Sequence, residues 1–556
     1  MAHSSDSHVH LHPLLLPEIL NVLGPFLQRN SLLCSLRVCK TWHRTLEPQL
    51  WHTVSTARKN IYPFGIPART LALTPRCTRD DSLKALLRNL SHIRAIYFND
   101  QEFQDYYPHY PSSASSDLKS LLLQCRNLTM LQLKTLSDEM MTLLEHNRNT
   151  IQRIIYSSSL FDAVQQKATT DHLWNILGSM TRLRHLELQT AMKDSLRQGQ
   201  NPTQGEAFAR VCDKLETMRL ISCTLGDWPD FEQGGQGQQG RFSKMKQLEF
   251  ISVKDVSAQL QMIRQCPVLE DLAWCSGSGS MFPTQDFVHH LCLTRSTSCL
   301  KRLKLEGFEM PDADFAAIIA QLPASCNHLT FNSIRFGLLS IAALAATPKR
   351  RDFSLRLTRG IRSHLIHGLL SRCPNLQYLL PSCQVIATDL LAAPWVASRL
   401  VKLELTLSFE ANLAPDLGHS VIYEQLSRLV SLQELCLSEE RRALSGRWFG
   451  QEIEISEGLL GYNHKGLDFS LENGMGALAS LSQLRRLDLR ALRVLRMGQA
   501  EALWMTTHWP ALTSLYVRGF HHDSREQREV LEFLGKRRPE LDIAIGPKGD
   551  SQTLKS

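Results

Sequence analysis

Leu183-Arg-His-Leu-Glu-Leu188 puts apolar residues at the first, fourth and sixth places of a hexapeptide. The last two alternate with one polar residue, the period of a short strand buried on one face. The spacing returns at Ile93-Ile96-Phe98, Leu128-Leu131-Leu133, Ile151-Ile154-Tyr156, Leu215-Met218-Leu220, Leu248-Ile251-Val253, Leu269-Leu272 and Leu300-Leu303-Leu305. A degenerate copy stands near Leu329. More follow at Leu376-Leu379, Leu400-Leu403-Leu405, Leu432-Leu435-Leu437, Leu484-Leu487-Leu489 and Leu512-Leu515-Val517. From 151 to 183, 215 and 248 the intervals are 32, 32 and 33 residues. A recurring period of this size means stacked units, none able to bury its apolar face alone.

Between the motifs lie helical stretches such as Asp171–Gly178 and Asp312–Leu322, with Asp171 and Asp312 or Asp314 as expected N-caps. Strands stack about 4.8 Å apart, whereas helices need about 10 Å. The mismatch predicts a bent stack, strands inside and helices outside. The motif resembles the leucine-rich repeat. The resemblance implies an α/β fold: a curved solenoid over residues 86–545, with a parallel β-sheet on the concave face and helices on the convex face.

Residues projected onto that concave face are His185, Glu187 and Gln189; Thr217 and Arg219; Arg302, Lys304 and Glu306; Lys402 and Glu404. At its C-terminal end come Arg486, Asp488, Arg490, Ser514, Tyr516 and Arg518. Arg and Tyr are enriched among interface hot spots, so Arg486, Arg490, Tyr516 and Arg518 are candidate target-binding residues. Asp488 stands against them as an internal neutraliser. Trp448 and Phe449 mark a rival site. They lie in the long interval between 437 and 484, which has room for one irregular repeat plus a loop.

The N-terminal stretch from Leu16 to Trp51 has a different character. Leu16, Ile19, Leu20, Leu23 and Leu27 share one helical face, Pro17 suits a first helical turn, and Gly24-Pro25 ends the run. Ser31 caps a second segment carrying Leu32, Leu36, Val38, Cys39 and Trp42, and Leu50-Trp51 follows Glu47-Pro48. So short a module cannot bury this much apolar surface alone. The order Leu-Pro-Glu-Ile-Leu, Leu-Leu, Val-Cys-Lys-x-Trp, Leu-Trp resembles the F-box over residues 13–55. Many F-boxes place a residue between the Pro and the Glu, whereas here Glu18 follows Pro17 directly. The resemblance implies a three-helix module that docks on the Skp-type adaptor of a cullin-RING (SCF) ubiquitin ligase. Its adaptor-binding set is Leu16, Pro17, Ile19, Leu20, Leu23, Leu32, Val38, Cys39, Trp42, Leu50 and Trp51.

The remaining stretches frame these two. Residues 1–12 and 546–556 read as disordered tails, and 56–85 as a Pro-containing linker or cap. The Gln/Gly-rich tracts 195–206 and 231–241, the Ser-rich 112–116 and the Gly/Ser run Ser276–Ser280 read as loops. Gly235-Gln-Gly-Gln-Gln-Gly240 matches a dinucleotide fingerprint in letters only, lacking the strand before and helix after it.

Among 556 residues, 62 basic and 54 acidic ones leave a net charge of +8, too dilute for a nucleic-acid binder. The 14 cysteines contain no CxxC pair. Cys125, Cys212, Cys266 and Cys373 each precede a motif Leu by three residues and read as small packing residues. No secretory signal and no apolar run long enough for a membrane span is found, and free thiols point to cytoplasm or nucleus. No P-loop, HExxH or GxSxG occurs, so neither enzyme activity, cofactor nor metal is expected.

The expectation is the substrate-recognition subunit of an SCF-type ligase: F-box on adaptor and cullin, solenoid on an unidentified protein target, no nucleic acid, no membrane. The alternative is a leucine-rich-repeat scaffold acting outside a ubiquitin ligase.

Overall fold

In the computed structural model, the described residues are most of 123–546, interrupted mainly at 134–137, 159–165, 191–209, 224–241, 409–414, 440–466, 492–496 and 519–524. Ahead of them are Leu20, Val38, Cys39, Trp42, Thr45, 53–55, 70–73 and 93–98; 552–553 lie after them. Residues 1–12 and the tracts 112–116, 195–206 and 231–241 fall outside the described residues, whereas Gly546 and Gln552–Thr553 of the C-terminal stretch are described and lie in strands.

The chain forms two compact units that divide within one strand, β8 (Gln247–Ile251). The first holds β1 (Thr53–Ser55), β2 (Thr70–Leu73), β3 (Ala95–Phe98), β4 (Met130–Leu133), β5 (Arg153–Ser158), β6 (His185–Thr190) and β7 (Thr217–Ile221). Each pairs in parallel with the next. Among the described residues the sheet therefore starts at Thr53, upstream of residue 86. Leu71, Ile96, Leu131, Ile154, Leu186 and Met218 stand side by side in register. Helices Asp138–His146 and Gln166–Ser179 pack on each other. The second of these begins at Gln166, so Asp171 lies inside it and is not its cap. Its C-terminal carbonyls are instead capped from the following repeat: Lys214 Nζ donates to Gly178 O at 2.5 Å and Met180 O at 3.0 Å, where a cation also suits the helix dipole.

The second unit contains β9 (Asp271–Cys275), β10 (Arg302–Glu306), β11 (His328–Asn332), β12 (Phe353–Leu357), β13 (Leu376–Pro381), β14 (Gln384–Ile386), β15 (Lys402–Ser408), β16 (Glu434–Glu439), β17 (Arg486–Ala491), β18 (Ser514–Arg518) and β19 (Asp542–Gly546). They pair in parallel in chain order, with β13 and β14 both on β15. A short β20 (Gln552–Thr553) runs antiparallel to β19. Helices Thr284–Thr294, Asp312–Gln321, Leu338–Ala345 and Ser363–Arg372 pack in succession. Strand beside strand and helix beside helix is the leucine-rich-repeat arrangement.

Three motif assignments change. β12 is a repeat whose first apolar place is filled by Asp352, which hid it in the sequence. β16 and β17 are hydrogen-bonded neighbours, so the interval from 437 to 484 inserts no strand between them. At β8 (Gln247–Ile251) the motif reads Met245-Leu248-Phe250, not Leu248-Ile251-Val253. The N–H groups of Lys246 and Gln247 donate to Glu216 O, as those of Glu216 and Thr217 donate to Arg184 O. Met245 thus stands where Leu215 stands, and Phe250 is buried while Ile251 is half-exposed.

A tight turn feeds many of the strands. In these the N–H of the first motif residue donates to the carbonyl three residues earlier, as in Leu215 to Cys212 (3.3 Å), Leu400 to Ala397 (3.0 Å), Leu432 to Leu429 (2.9 Å) and Leu512 to Trp509 (3.1 Å). That earlier residue faces the core. Cys125, Cys212, Cys266, Cys326 and Cys373 hold it in some repeats, and Met180, Leu429, Leu481 and Trp509 in others, all buried. Leu186, Leu188, Leu303, Leu305, Leu403, Leu405, Leu487 and Leu489 are buried as the alternation requires.

Polar residues on the helix side tie one repeat to the next. Asp312 opens the helix Asp312–Gln321 but caps the following one. Its carboxylate accepts from the N–H of Gly337 (2.9 Å), Leu339 (2.8 Å) and Ser340 (3.0 Å). Asp314 accepts from Thr284 Oγ1 at 2.7 Å. Buried Glu501 accepts from the N–H of Leu471 (3.1 Å) and Gly498 (2.8 Å). Burial pushes its pKa up, and these backbone donors outweigh it, leaving the pKa of the carboxyl below its ordinary value. Gly307, at φ +73°, leaves β10 in the left-handed region, where a Cβ would strike Ser276 O.

Asp312→Ala removes three backbone acceptor contacts from a helix start. It should lower stability by about 1–3 kcal/mol in denaturant unfolding, with Asp312→Asn losing less.

Candidate protein-recognition face

Alternation leaves every second strand residue on the face opposite the core, and the strand register decides which charges meet there. In the second unit several of these charges pair across or along the strands. Arg302 grips Asp271 through both carboxylate oxygens, Lys402 meets Glu434 at 2.7 Å, and Lys304 meets Glu306 at 3.1 Å. Cys275 Sγ also lies 3.6 Å from Glu306 Oε2.

The C-terminal candidates follow the same rule. Arg486 lies 3.9 Å from Asp488 and stacks 4.6 Å over the Tyr516 ring. Asp488 is buried. The arginine is thus held by its own neighbours, the neutralisation that Asp488 foreshadowed. Arg490 and Arg518 lie on β17 and β18, in strand register with the others; their side chains, like Trp448 and Phe449, fall outside the described residues.

The first unit differs. Glu187 is shared by two arginines from the flanking strands, Arg153 at 3.9 Å and Arg219 at 3.3 Å. At the strand entries Glu216 is shared by Arg184 at 3.5 Å and Lys246 at 3.8 Å. His185 sits among them, its Nδ1 2.6 Å from Thr217 Oγ1. Burial lowers the imidazole's pKa below the ordinary value; Arg153 and Arg184 lower it further, and Glu216 opposes them. Sequence projection found His185, Glu187 and Arg219 but missed Arg153, Arg184, Glu216 and Lys246. Position two of the motif holds three of the four, and the misread frame at Leu248 concealed Lys246.

Of the adaptor-binding candidates, Leu20 lies in helical backbone and is buried. Val38 is 61% exposed, and Cys39 and Trp42 are half-buried. Leu16, Pro17, Ile19, Leu23, Leu32, Leu50 and Trp51 fall outside the described residues. Among the described residues no group of three or more His, Cys, Asp or Glu is placed to hold a metal ion. Likewise, no helix is long and apolar enough to cross a membrane.

No family model matches the chain, and no curated protein matches it. Solved structures similar to it include the Rad7 and Elc1 complex in yeast. That match has 11% identity and a TM-score of 0.30, covering 95% of this chain and 92% of that one. Another is the leucine-rich repeat-containing protein LegL7 from Legionella pneumophila, at 12% identity and a TM-score of 0.33, covering 64% of this chain and 97% of that one. Likenesses of this size carry no argument about family or function.

Burial raises the thiols of Cys125 and Cys275 to about 11 and that of Cys373 to about 12. The thiolate is the reactive form, so at mildly alkaline pH these cysteines should resist iodoacetamide in the native protein. Exposed Cys292 and Cys299 should label first. Peptide mass spectrometry before and after denaturation checks the order.

Proposed function

We propose that the chain is the substrate-recognition subunit of an SCF-type ubiquitin ligase. The F-box-like residues 13–55 hold a Skp-type adaptor and through it a cullin, and the repeat units hold a protein target. The chain does no chemistry itself. It raises the effective concentration of target lysines near a charged E2 and orients them. Such a complex works in cytoplasm or nucleus.

The observation that carries this reading is the joining, in one chain, of the ordered Leu16-Pro17…Val38-Cys39…Trp42…Trp51 set to stacked strand–helix repeats. Two further features support it. Val38 keeps most of its apolar surface accessible, which suits a residue offered to a partner. The strand faces carry paired charges in register, suited to protein recognition through electrostatic complementarity.

Affinity capture with mass spectrometry tests it. The intact protein should retain a Skp-type adaptor and cullin, and a deletion of residues 13–55 should lose both while keeping its target. Leu16→Ala/Pro17→Ala and Val38→Asp should each weaken adaptor binding by about tenfold or more in calorimetric titration. Adaptor binding untouched by all of these changes would refute the assignment, and a target retained without any adaptor would favour a scaffold outside the ligase.

A further inference from the structure

We propose that the strand face of the first unit, across Arg153–Glu187–Arg219 and Arg184–Glu216–Lys246, docks an acidic segment of a partner protein. The inference rests on reading the repeats as a protein-recognition surface and is independent of the adaptor.

In the second unit Arg302 meets Asp271, Lys304 meets Glu306, Lys402 meets Glu434 and Arg486 meets Asp488. In the first, Glu187 and Glu216 are each shared by two cations. Four cations on two carboxylates leave a surplus of two positive charges. Counting Glu249 on β8 and Arg94 ahead of β3 leaves the surplus unchanged.

Depth adds to the imbalance. The Glu187 side chain is 15% exposed, against 49% for Arg153 and 42% for Arg219. The carboxylate therefore lies beneath and the guanidinium groups stand outward, so an approaching group meets positive charge first. The direction in which Arg153 and Arg184 push His185 reports the same positive field from inside the cluster.

Geometry selects the occupant. Arg153 and Arg219 sit on strands two apart, a separation of about 10 Å. An extended segment covers that span in about three residues, so side-chain carboxylates or phosphates on one short stretch reach both arginines. Arginine forks match the planar carboxylate and the phosphate alike. A nucleic acid fits less well. Two surplus charges neutralise about two phosphates, too few for useful affinity at physiological salt, and Glu187 and Glu216 repel a continuous polyanion.

The test is fluorescence anisotropy with the full-length protein and short labelled peptides. One peptide is poly-glutamate, one carries phosphoserines between neutral residues, and a single-stranded oligonucleotide of equal charge serves as comparison. At least one peptide should bind, more weakly as salt rises. Arg153→Glu with Lys246→Glu should weaken that binding by about tenfold or more. Lys402→Glu, on the second unit, should leave it unchanged. Glu187→Gln should tighten it by releasing both arginines, a gain that misfolding cannot imitate. Whichever peptide binds more tightly identifies the anion as carboxylate or phosphate. The proposal is overturned if neither peptide binds, if Lys402→Glu weakens binding equally, if Glu187→Gln fails to tighten it, or if the oligonucleotide binds more tightly than both peptides. Adaptor capture by the same variants should be unaffected, so failure here is distinguishable from failure of the ligase assignment.

Discussion

One in-register apolar ladder in each unit underlies the structure. In the second unit it runs through Leu272, Leu303, Leu329, Leu355, Leu379, Leu403, Leu435, Leu487, Leu515 and Ile543. All but terminal Ile543 are buried. Burying a leucine is worth about 1.5–3 kcal/mol, but the larger constraint is phase. A slip of one residue would turn a strand's leucines to solvent and its charges inward. The ladder therefore fixes which residue of each strand stands beside which residue of the next. Local bonds help to hold the phase. The turns ahead of many strands deliver the chain at a set height, and side chains such as Asp312 and Lys214 carry that height from one repeat to its neighbour.

The outward face inherits this register. Arg302 meets Asp271, and Arg153 and Arg219 meet Glu187, because the leucines between them are locked in step. Exposed ion pairs contribute little stability, about 0–1 kcal/mol each, so the charges are consequences of the fold more than causes of it. Their arrangement bears on recognition instead. A carboxylate shared by two cations presents a positive field.

Much of this was legible in the sequence because the motif is local. Leu183, Leu186 and Leu188 lie within one hexapeptide, and so do most of their counterparts. Repeats escaped notice where the first apolar place was polar or small. Asp352 hid β12, and β2 begins its motif at Ala68. The frame at 248 was misread because Met245 is a weaker signal than Leu248, and that error concealed Lys246. Capping was less legible still. Asp312 looks like the cap of its own helix, and only the packing of successive repeats hands its carboxylate to Gly337, Leu339 and Ser340. At the C-terminal end the arginines were visible and so was Asp488. Distance decided between them, since Arg486 lies close enough to Asp488 and Tyr516 to be held by both.

On the function proposed above, the strand faces, and not the helices, receive the partner. Lysine crosslinking of the full-length protein with its captured partner addresses this directly. Lys246, Lys301, Lys304 and Lys402 lie on or beside the strands, whereas Lys536 lies on the helix Arg525–Arg537. The account predicts crosslinks from the partner to the strand-side lysines, Lys246 foremost. Crosslinks confined to helix-borne lysines such as Lys536 would contradict it.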